Sequence, residues 1–531
     1  TSQQTFFAQT DYDLKIKKHS MHVMLGFQQE WNKSKSFSAK RDSLTTEKDP
    51  VIDFGLESMS SASGGGSQWA MRSGFGRINY NYDERYLFEA NLRYDLTSRF
   101  IKENRGGWFP SFSAAWRLSE ENFMQNTKEW LDQLKLRASW GILGNQYSSS
   151  NNYPYLSVIG NVNVPTIGTL PQQGYSETII GNPNLLWEKS YNTNIGFDMS
   201  VLNNRLNISG DFFIRKTKDI IYSKVYPGQN GYTSIEENGG IVKNTGWELQ
   251  FNWNDKIGND FSYGAIFSIS DVKNKLTKFG DPQYSGYSQS YITKEGYALN
   301  SLYGLVSEGL AMPTDFEYYD ATSGKYMNPK FAVMPDYAGT VQPGDIKYKD
   351  LNGDGIIDLD NDREVVGNSF PRYTYSFNGY LNWKNFDFSF LIQGVGKADG
   401  YIYGPARHAF NDQSTYPQKF HSGRYQASNP NPNASYPRFT YNDEINSRNF
   451  STFWKEDASY LRLKNIEIGY SLPKNLIQKI RLERCRFYAS ADNVFTSTKY
   501  LSTYDPETPV QGGGYYPQVR TFVFGFNITF K

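Results

Sequence analysis

Between Arg520 and Phe530 the even positions read Phe522, Phe524, Phe526, Ile528 and Phe530, and the odd ones Thr521, Val523, Gly525, Asn527 and Thr529. Five large apolar side chains at a strict period of two place one face of a β-strand in an apolar medium. A soluble sandwich can carry such a strand, but four phenylalanines on one face suit a lipid-facing row, which needs about 9–11 residues. Phe526→Arg is therefore expected to impair assembly far more than Asn527→Arg. The same alternation predicts strands at Tyr12–Lys17, around Val23–Trp31, and at Gly74–Tyr82, Leu87–Asp95, Phe109–Leu118 and Leu134–Leu143. It continues at Trp187–Met199, Leu206–Ile214, Trp247–Trp253, Phe261–Ile269, Tyr373–Trp383, Phe386–Ile392, Leu461–Tyr470 and Cys485–Phe495. A short helical connection is expected around Asn122–Leu134.

With the last strand the pattern predicts about 15 strands, and the connections between them alternate in length. Short turns at 18–20, 83–85, 203–205, 254–260 and 384–385 alternate with long loops at 32–70, 144–184, 216–244, 271–371, 395–456 and 496–517. Short on one rim and long on the other is the signature of an all-β, transmembrane, antiparallel up-and-down β-barrel with long extracellular loops. A propeller or sandwich has no reason to sort its loops by parity. Bacterial single-chain barrels have even strand numbers, and an open sheet edge cannot face lipid. The expectation is that 1–531 is the C-terminal part of a larger barrel, with 271–371 as one long extracellular loop. The Ser60–Ser67 stretch, with Gly64-Gly65-Gly66, reads either as a flexible linker or as a native loop.

Composition sharpens this picture. Mean hydropathy is −0.63, and no run of 18 apolar residues could form a membrane-spanning helix. Abundant Tyr (40) and Phe (36) supply the rim aromatics a barrel needs. A net charge of +1 removes nucleic acid as an expected partner. The single Cys485 allows no internal disulfide. No charged-then-apolar leader follows Thr1, so an exported protein would have its N-terminus elsewhere.

Specific runs then carry a family resemblance. They are Phe75-Gly76-Arg77-Ile78-Asn79-Tyr80, Arg93 to Phe100, Trp108-Phe109-Pro110-Ser111-Phe112-Ser113 through Trp116 and Glu120 to Phe123, and Leu134-Lys135-Leu136-Arg137 to Gly144-Asn145. Next come Asn238-Gly239-Gly240 to Glu248, Gly344-Asp345 to Gly355, Tyr460-Leu461-Arg462-Leu463-Lys464-Asn465 to Pro473, and Tyr516-Pro517 to Phe530. In this order, across nearly the whole chain, they resemble the SusC/RagA-like family of TonB-dependent outer-membrane transporters. Leu96-Thr97 replaces the family's usual Gly-Ser after Asp95, and Lys531 follows the aromatic at which the family commonly stops. The resemblance implies a barrel of about 22 strands, a plug, energisation by TonB and a SusD-like lipoprotein lid. Plug, TonB box and about seven strands would precede Thr1.

One loop carries metal-ligand spacing. Asp350, Asn352, Asp354 and Asp358 stand at positions 1, 3, 5 and 9, Gly355 at 6, and the Ile356 carbonyl at 7, as in the first part of an EF-hand-type calcium loop. Position 12 is Asn361, so Asp360 or Asp362 would close the shell. A solvated acidic turn has the same composition, but five carboxylates within 350–362 repel one another without a cation. Ca²⁺ is therefore the expected cofactor. Tyrosines in the long loops (Tyr284, Tyr287, Tyr318, Tyr319, Tyr401, Tyr403, Tyr515 and Tyr516) offer rings that could meet a ligand or a lid, and could equally pack against other loops. The histidines His19, His22, His408 and His421 form no metal or triad spacing, and no nucleotide or nucleophile motif occurs, so no enzyme is expected.

Two functions remain. One is import across the bacterial outer membrane of a nutrient too large for porins, an oligosaccharide or oligopeptide, in contact with membrane lipid, a lipoprotein and TonB. The other is a non-transporting surface β-rich adhesin or glycan-binding module. Loop parity and aromatic outer faces favour the transporter.

Overall fold

Fifteen strands form one sheet in which order along the sheet is order along the chain. We number them β1 (Ser2–Ile16), β2 (His19–Arg41), β3 (Ser60–Tyr82), β4 (Tyr86–Thr97), β5 (Gly106–Arg117), β6 (Leu131–Asn145), β7 (Glu188–Val201) and β8 (Leu206–Val225). They continue as β9 (Ser234–Ile257), β10 (Phe261–Lys278), β11 (Arg372–Trp383), β12 (Phe386–Lys397), β13 (Tyr460–Ser471), β14 (Leu482–Thr498) and β15 (Thr521–Phe530). The structure is a computed structural model. It describes residues 1–531 except 47, 49, 148–151, 165–171, 228, 230–233, 338–339, 405–406, 411–415, 442–443, 480–481, 502–503, 513, 515, 517 and 531. No helix among the described residues is long and apolar enough to cross a membrane, which says nothing about crossing by strands.

The chain divides into two units. The first comprises 1–126, 134–197 and 213–243, the second 127–133, 198–212 and 244–531. In the first, register aligns Tyr12, Val23, Ile78, Ala90, Phe112 and Trp140 across β1 to β6. The row nearest the short turns reads Ile16, His19, Tyr82, Tyr86, Trp116 and Leu136. Its rings stack, Tyr82 on Tyr86 and Tyr86 on Trp116, each at 6.3 Å. The opposite face carries Asp13, His22, Asn79, Glu89, Ser113 and Ser139. Adjacent rows therefore alternate between apolar and polar across six strands, as a wall between lipid and water requires.

The second unit repeats the arrangement. Tyr263, Leu381, Phe388, Ile468, Ala489 and Phe524 align from β10 to β15, and below them Phe261, Trp383, Phe386, Tyr470, Phe487 and Phe526. On the other face Arg486 is salt-bridged to Asp387 and Glu467.

Strand existence and order match the sequence pattern, while strand length does not. β2 and β3 pair as far as Arg41–Ser60, so the Ser60–Ser67 stretch is strand and neither linker nor loop. Likewise β8 reaches Val225 and β9 starts at Ser234, which shrinks the loop expected at 216–244. Backbone ladders need no side-chain alternation, so a strand continuing above the apolar band loses its signal without losing its hydrogen bonds. The loop expected at 144–184 contains a hairpin, Val158–Val164 with Gln172–Ile179. The connection before β6 holds a short 3₁₀ stretch at Asn122–Thr127.

Candidate functional site

The excursions 271–371, 395–456 and 496–517 fold into a packed cap in the second unit. Its core gathers Leu302, Leu305, Ile346, Tyr401, Phe450 and Trp454, all at most 2 % exposed. Segments this long stay ordered only when they bury apolar side chains of their own. Small ladders stiffen them: Ser301–Leu305 with Arg363–Gly367, Ser307–Leu310 with Ile346–Tyr348, and Phe316–Asp320 with Lys325–Pro329.

A polar hub joins the first excursion to the second. Asp345 is fully buried and accepts from Arg438 Nε (2.7 Å) and Nη2 (2.9 Å), Gln342 N (2.8 Å) and Asn446 Nδ2 (2.9 Å). Asn446 Oδ1 in turn accepts Ile346 N at 2.8 Å, and its carbonyl accepts Trp454 Nε1 at 2.7 Å. The preceding Gly344 has φ +93°, and a Cβ there would lie 2.3 Å from the Tyr425 ring. A second hub ties the last excursion to β13. Arg462, 3 % exposed, donates to Asp505 (2.8 Å), Glu507 (2.7 Å) and Thr496 (2.8 Å), and Lys464 also reaches Glu507 at 2.7 Å. Sequence reasoning missed both hubs. The only signal was that Gly344-Asp345 and Arg462 lie in runs shared with a known family.

Two histidines of the cap are structural. His421 accepts Gln418 N at Nδ1 (2.7 Å) and lies 2.7 Å from the Arg407 carbonyl through Nε2, which assigns the proton to Nε2. His408 lies edge-on to Trp454 at 5.1 Å. Burial holds both below the ordinary histidine range, His408 at about 3. His19 meets the Tyr80 hydroxyl and His22 the Asp13 carboxylate.

In the Asp350–Asp362 loop the carboxylates hold backbone amides. Asp350 accepts Gly353 N (2.6 Å) and Gly355 N (2.8 Å), with both glycines at positive φ. Asn352 Nδ2 donates to Asp354 at 2.8 Å. Asp358 accepts Asp360 N and Asn361 N, and hydrogen bonds led by the Asn361 side chain hold its carboxyl below the usual range. Asp362 is fully buried and ties Leu351 N to Asp358 N, both at 2.7 Å, closing the loop end to end. Asp360 and Ile356 are exposed. Among the described residues no three His, Cys, Asp or Glu side chains are grouped to hold a metal ion.

The loop tyrosines separate into two sets. Tyr401 is 1 % exposed, its ring 4.2 Å from Phe450, and Tyr403 packs beside it. Both belong to the cap core, so contact with a ligand or lid is not open to Tyr401. Tyr318 and Tyr319 project from the Phe316–Pro329 hairpin at 53 % and 55 % exposure, and Tyr516 stands at 80 %. Tyr284 packs against Tyr303 with the Arg363 guanidinium over both rings. Tyr515 and the Tyr287 side chain lie outside the described residues. In the first unit the polar face of the sheet forms a recess of about 890 Å³ bordered by Gln9, Arg77, Asn91, Arg93 and Asn192.

Residues 1–494 match the family of TonB dependent receptor-like β-barrels. The chain belongs to that family. It is 30% identical over 479 residues to TonB-dependent receptor P3 of Formosa agariphila, covering 86% of this chain and 45% of the relative. It is 29% identical over 471 residues to TonB-dependent receptor SusC of Bacteroides thetaiotaomicron, covering 86% and 43%. The chain thus spans about half the length of the curated relatives it matches. It shares its fold with the chain in the structure of the RagAB peptide transporter, with a TM-score of 0.82 at 23% identity over 99% of this chain and 55% of that one. These relatives are receptors and transporters of the outer membrane, not enzymes.

For a TonB-dependent receptor barrel the two faces acquire their solvents. The Tyr12–Trp140 and Tyr263–Phe524 rows face lipid, and the polar rows with Arg77, Arg93 and Arg486 face the aqueous lumen. In outer-membrane barrels short turns lie on the periplasmic side and longer loops on the extracellular side.

Proposed function

We propose that this chain forms the wall and outer cap of an importer that takes up an oligosaccharide or oligopeptide, energised by TonB and covered by a SusD-like surface lipoprotein. The packed cap carries this reading. A lid that opens and closes needs a rigid seat, and 271–371 with 395–456 supply one through the Asp345 hub and the Trp454 core. Exposed Tyr318, Tyr319 and Tyr441 on that seat suit a large, partly polar interface, where tyrosine is enriched. The likeness to a TonB-dependent receptor and to a peptide transporter supports an importer and leaves both substrate classes in play.

The protein purified from native outer membranes in mild detergent is expected to retain a lipoprotein at a fixed ratio, with a carbohydrate or peptide identifiable by mass spectrometry. Recovery of the receptor alone, at every detergent concentration that keeps it folded, contradicts the lid.

We also propose that Asp350–Asp362 takes up Ca²⁺ on the extracellular rim, where calcium is abundant enough to fill a site of roughly 10⁻⁴–10⁻³ M. The ligand spacing and the Asp350–Gly355 turn support it. Asp350, Asn352, Asp354 and Asp358 would supply side-chain oxygens and Ile356 its carbonyl, with Asp360 or Asp362 completing the shell. Millimolar Ca²⁺ should slow amide exchange across 350–362, and Asp354→Ala should remove that protection while the barrel stays intact. Identical exchange with and without calcium in the unmodified protein rejects the site.

A further inference from the structure

We propose that the outward face of β2 and β3 binds the phosphate groups of outer-leaflet lipid through Lys33, Lys35 and Arg72. The face is defined by register. Gln29, Trp31, Lys33 and Lys35 of β2 lie opposite Arg72, Ala70, Gln68 and Gly66 of β3, in unbroken phase with the lipid-facing Val23–Ile78 pair. On β1 the same face shows Ser2, Gln4, Phe6 and Ala8, and on β4 Leu92, Tyr94 and Leu96. From the short turns up to Lys35, the three cations are the only Lys, Arg, Asp or Glu side chains on this face of β1 to β4. Inward-facing Asn32 and Ser34 are half-buried, whereas Lys33, Lys35 and Arg72 are exposed.

Height along the strand decides what they meet. At about 3.4 Å per residue and a tilt of roughly 35–45°, Trp31 stands about 30 Å above His19 at the periplasmic turn. An apolar band of about 25 Å therefore ends near Trp31. Lys33 and Lys35 rise about 5 and 10 Å further, into the headgroups, and Arg72 sits about 5 Å below Trp31, within snorkelling reach of them. Arg72 Nε donates to Gln29 at 3.3 Å, which steadies it without neutralising it. An acid-free lipid-facing surface that turns cationic at headgroup depth is complementary to an anionic leaflet. Phe37, two positions above Lys35, lies beyond that depth and takes no part.

The test is native mass spectrometry of the protein purified from outer membranes and placed in nanodiscs containing lipid A, with or without its phosphates. The unmodified protein should retain phosphorylated lipid A in preference to the dephosphorylated form. The triple variant Lys33→Gln, Lys35→Gln, Arg72→Gln should weaken retention about a hundredfold, roughly fivefold per charge. Lys40→Gln, on the opposite face beside Asp42, should leave it unchanged, and all variants should keep the mobility of a folded barrel. Equal retention by the triple variant, or of both lipids by the unmodified protein, overturns the proposal. So does displacement of bound lipid by millimolar inorganic phosphate, which would mark a site for free anions. Uptake is measured separately, so failure here leaves the import reading untouched.

Discussion

Phe112→Arg is expected to remove most of the folded protein from the outer membrane, while Ser113→Arg is expected to assemble normally. Phe112 is the middle of the five outward residues of β5 from Trp108 to Trp116, and lies beside Ala90 and Trp140 in the lipid-facing row. An arginine at the bilayer midplane of a barrel costs about 2–4 kcal/mol. That is a large share of a domain's net stability, typically about 5–15 kcal/mol. Ser113 points the other way, opposite Glu89, where a guanidinium meets water and an opposite charge. Phe526→Arg and Asn527→Arg make the same pair at β15, since Phe526 shares its face with Phe487, and Asn527 lies opposite Arg486 on the polar face. The readout is the amount of the fast-migrating folded form in unboiled samples of outer membrane. Equal losses within a pair would mean that the faces are assigned wrongly.

Asp345→Ala is expected to unlock the cap and leave the barrel standing. The carboxylate is the common acceptor for Arg438, Asn446 and the Gln342 amide, and it has no exposure to water. Removing one partner of a buried ion pair typically costs about 3–5 kcal/mol, and because Arg438 is 26 % exposed the loss here should sit at or below the lower end of that range. The loss falls on 300–457, because none of the three partners belongs to a sheet strand. Limited proteolysis should cut this segment in the variant at protease levels that spare the unmodified protein, with the folded-barrel mobility retained. Asp345→Asn preserves shape but not charge and should fall between. A variant whose cap resists protease as well as the unmodified protein would show that the apolar core around Trp454 holds the loops unaided.

Legibility in the sequence followed the physics of each region. Where one face meets lipid, alternation was forced, so Phe522 to Phe530 and the turns at 83–85 and 384–385 could be read directly. Above the apolar band both faces meet water. The β2–β3 ribbon through Gly64–Gly66 therefore read as loop although its backbone pairs throughout. In the cap, Tyr401 and Tyr516 looked alike because composition does not report burial, yet one is core and the other is surface. Asp345 was invisible as a hub because Gly-Asp also describes an ordinary turn, and its side-chain partners Arg438 and Asn446 lie about a hundred residues away. The Asp350–Asp362 spacing was plain because it is local. The buried place of Asp362, bridging Leu351 and Asp358, was not.

The import reading is tested most directly by uptake. Intact cells producing the protein, and cells lacking it, are given a size-graded set of labelled oligosaccharides and oligopeptides too large for porins. The account predicts that one class enters only when the protein is present, and that its entry stops when the inner-membrane proton gradient is dissipated. Equal entry of every oligomer into both kinds of cell, with the folded protein verified in the outer membrane of the first, would contradict it.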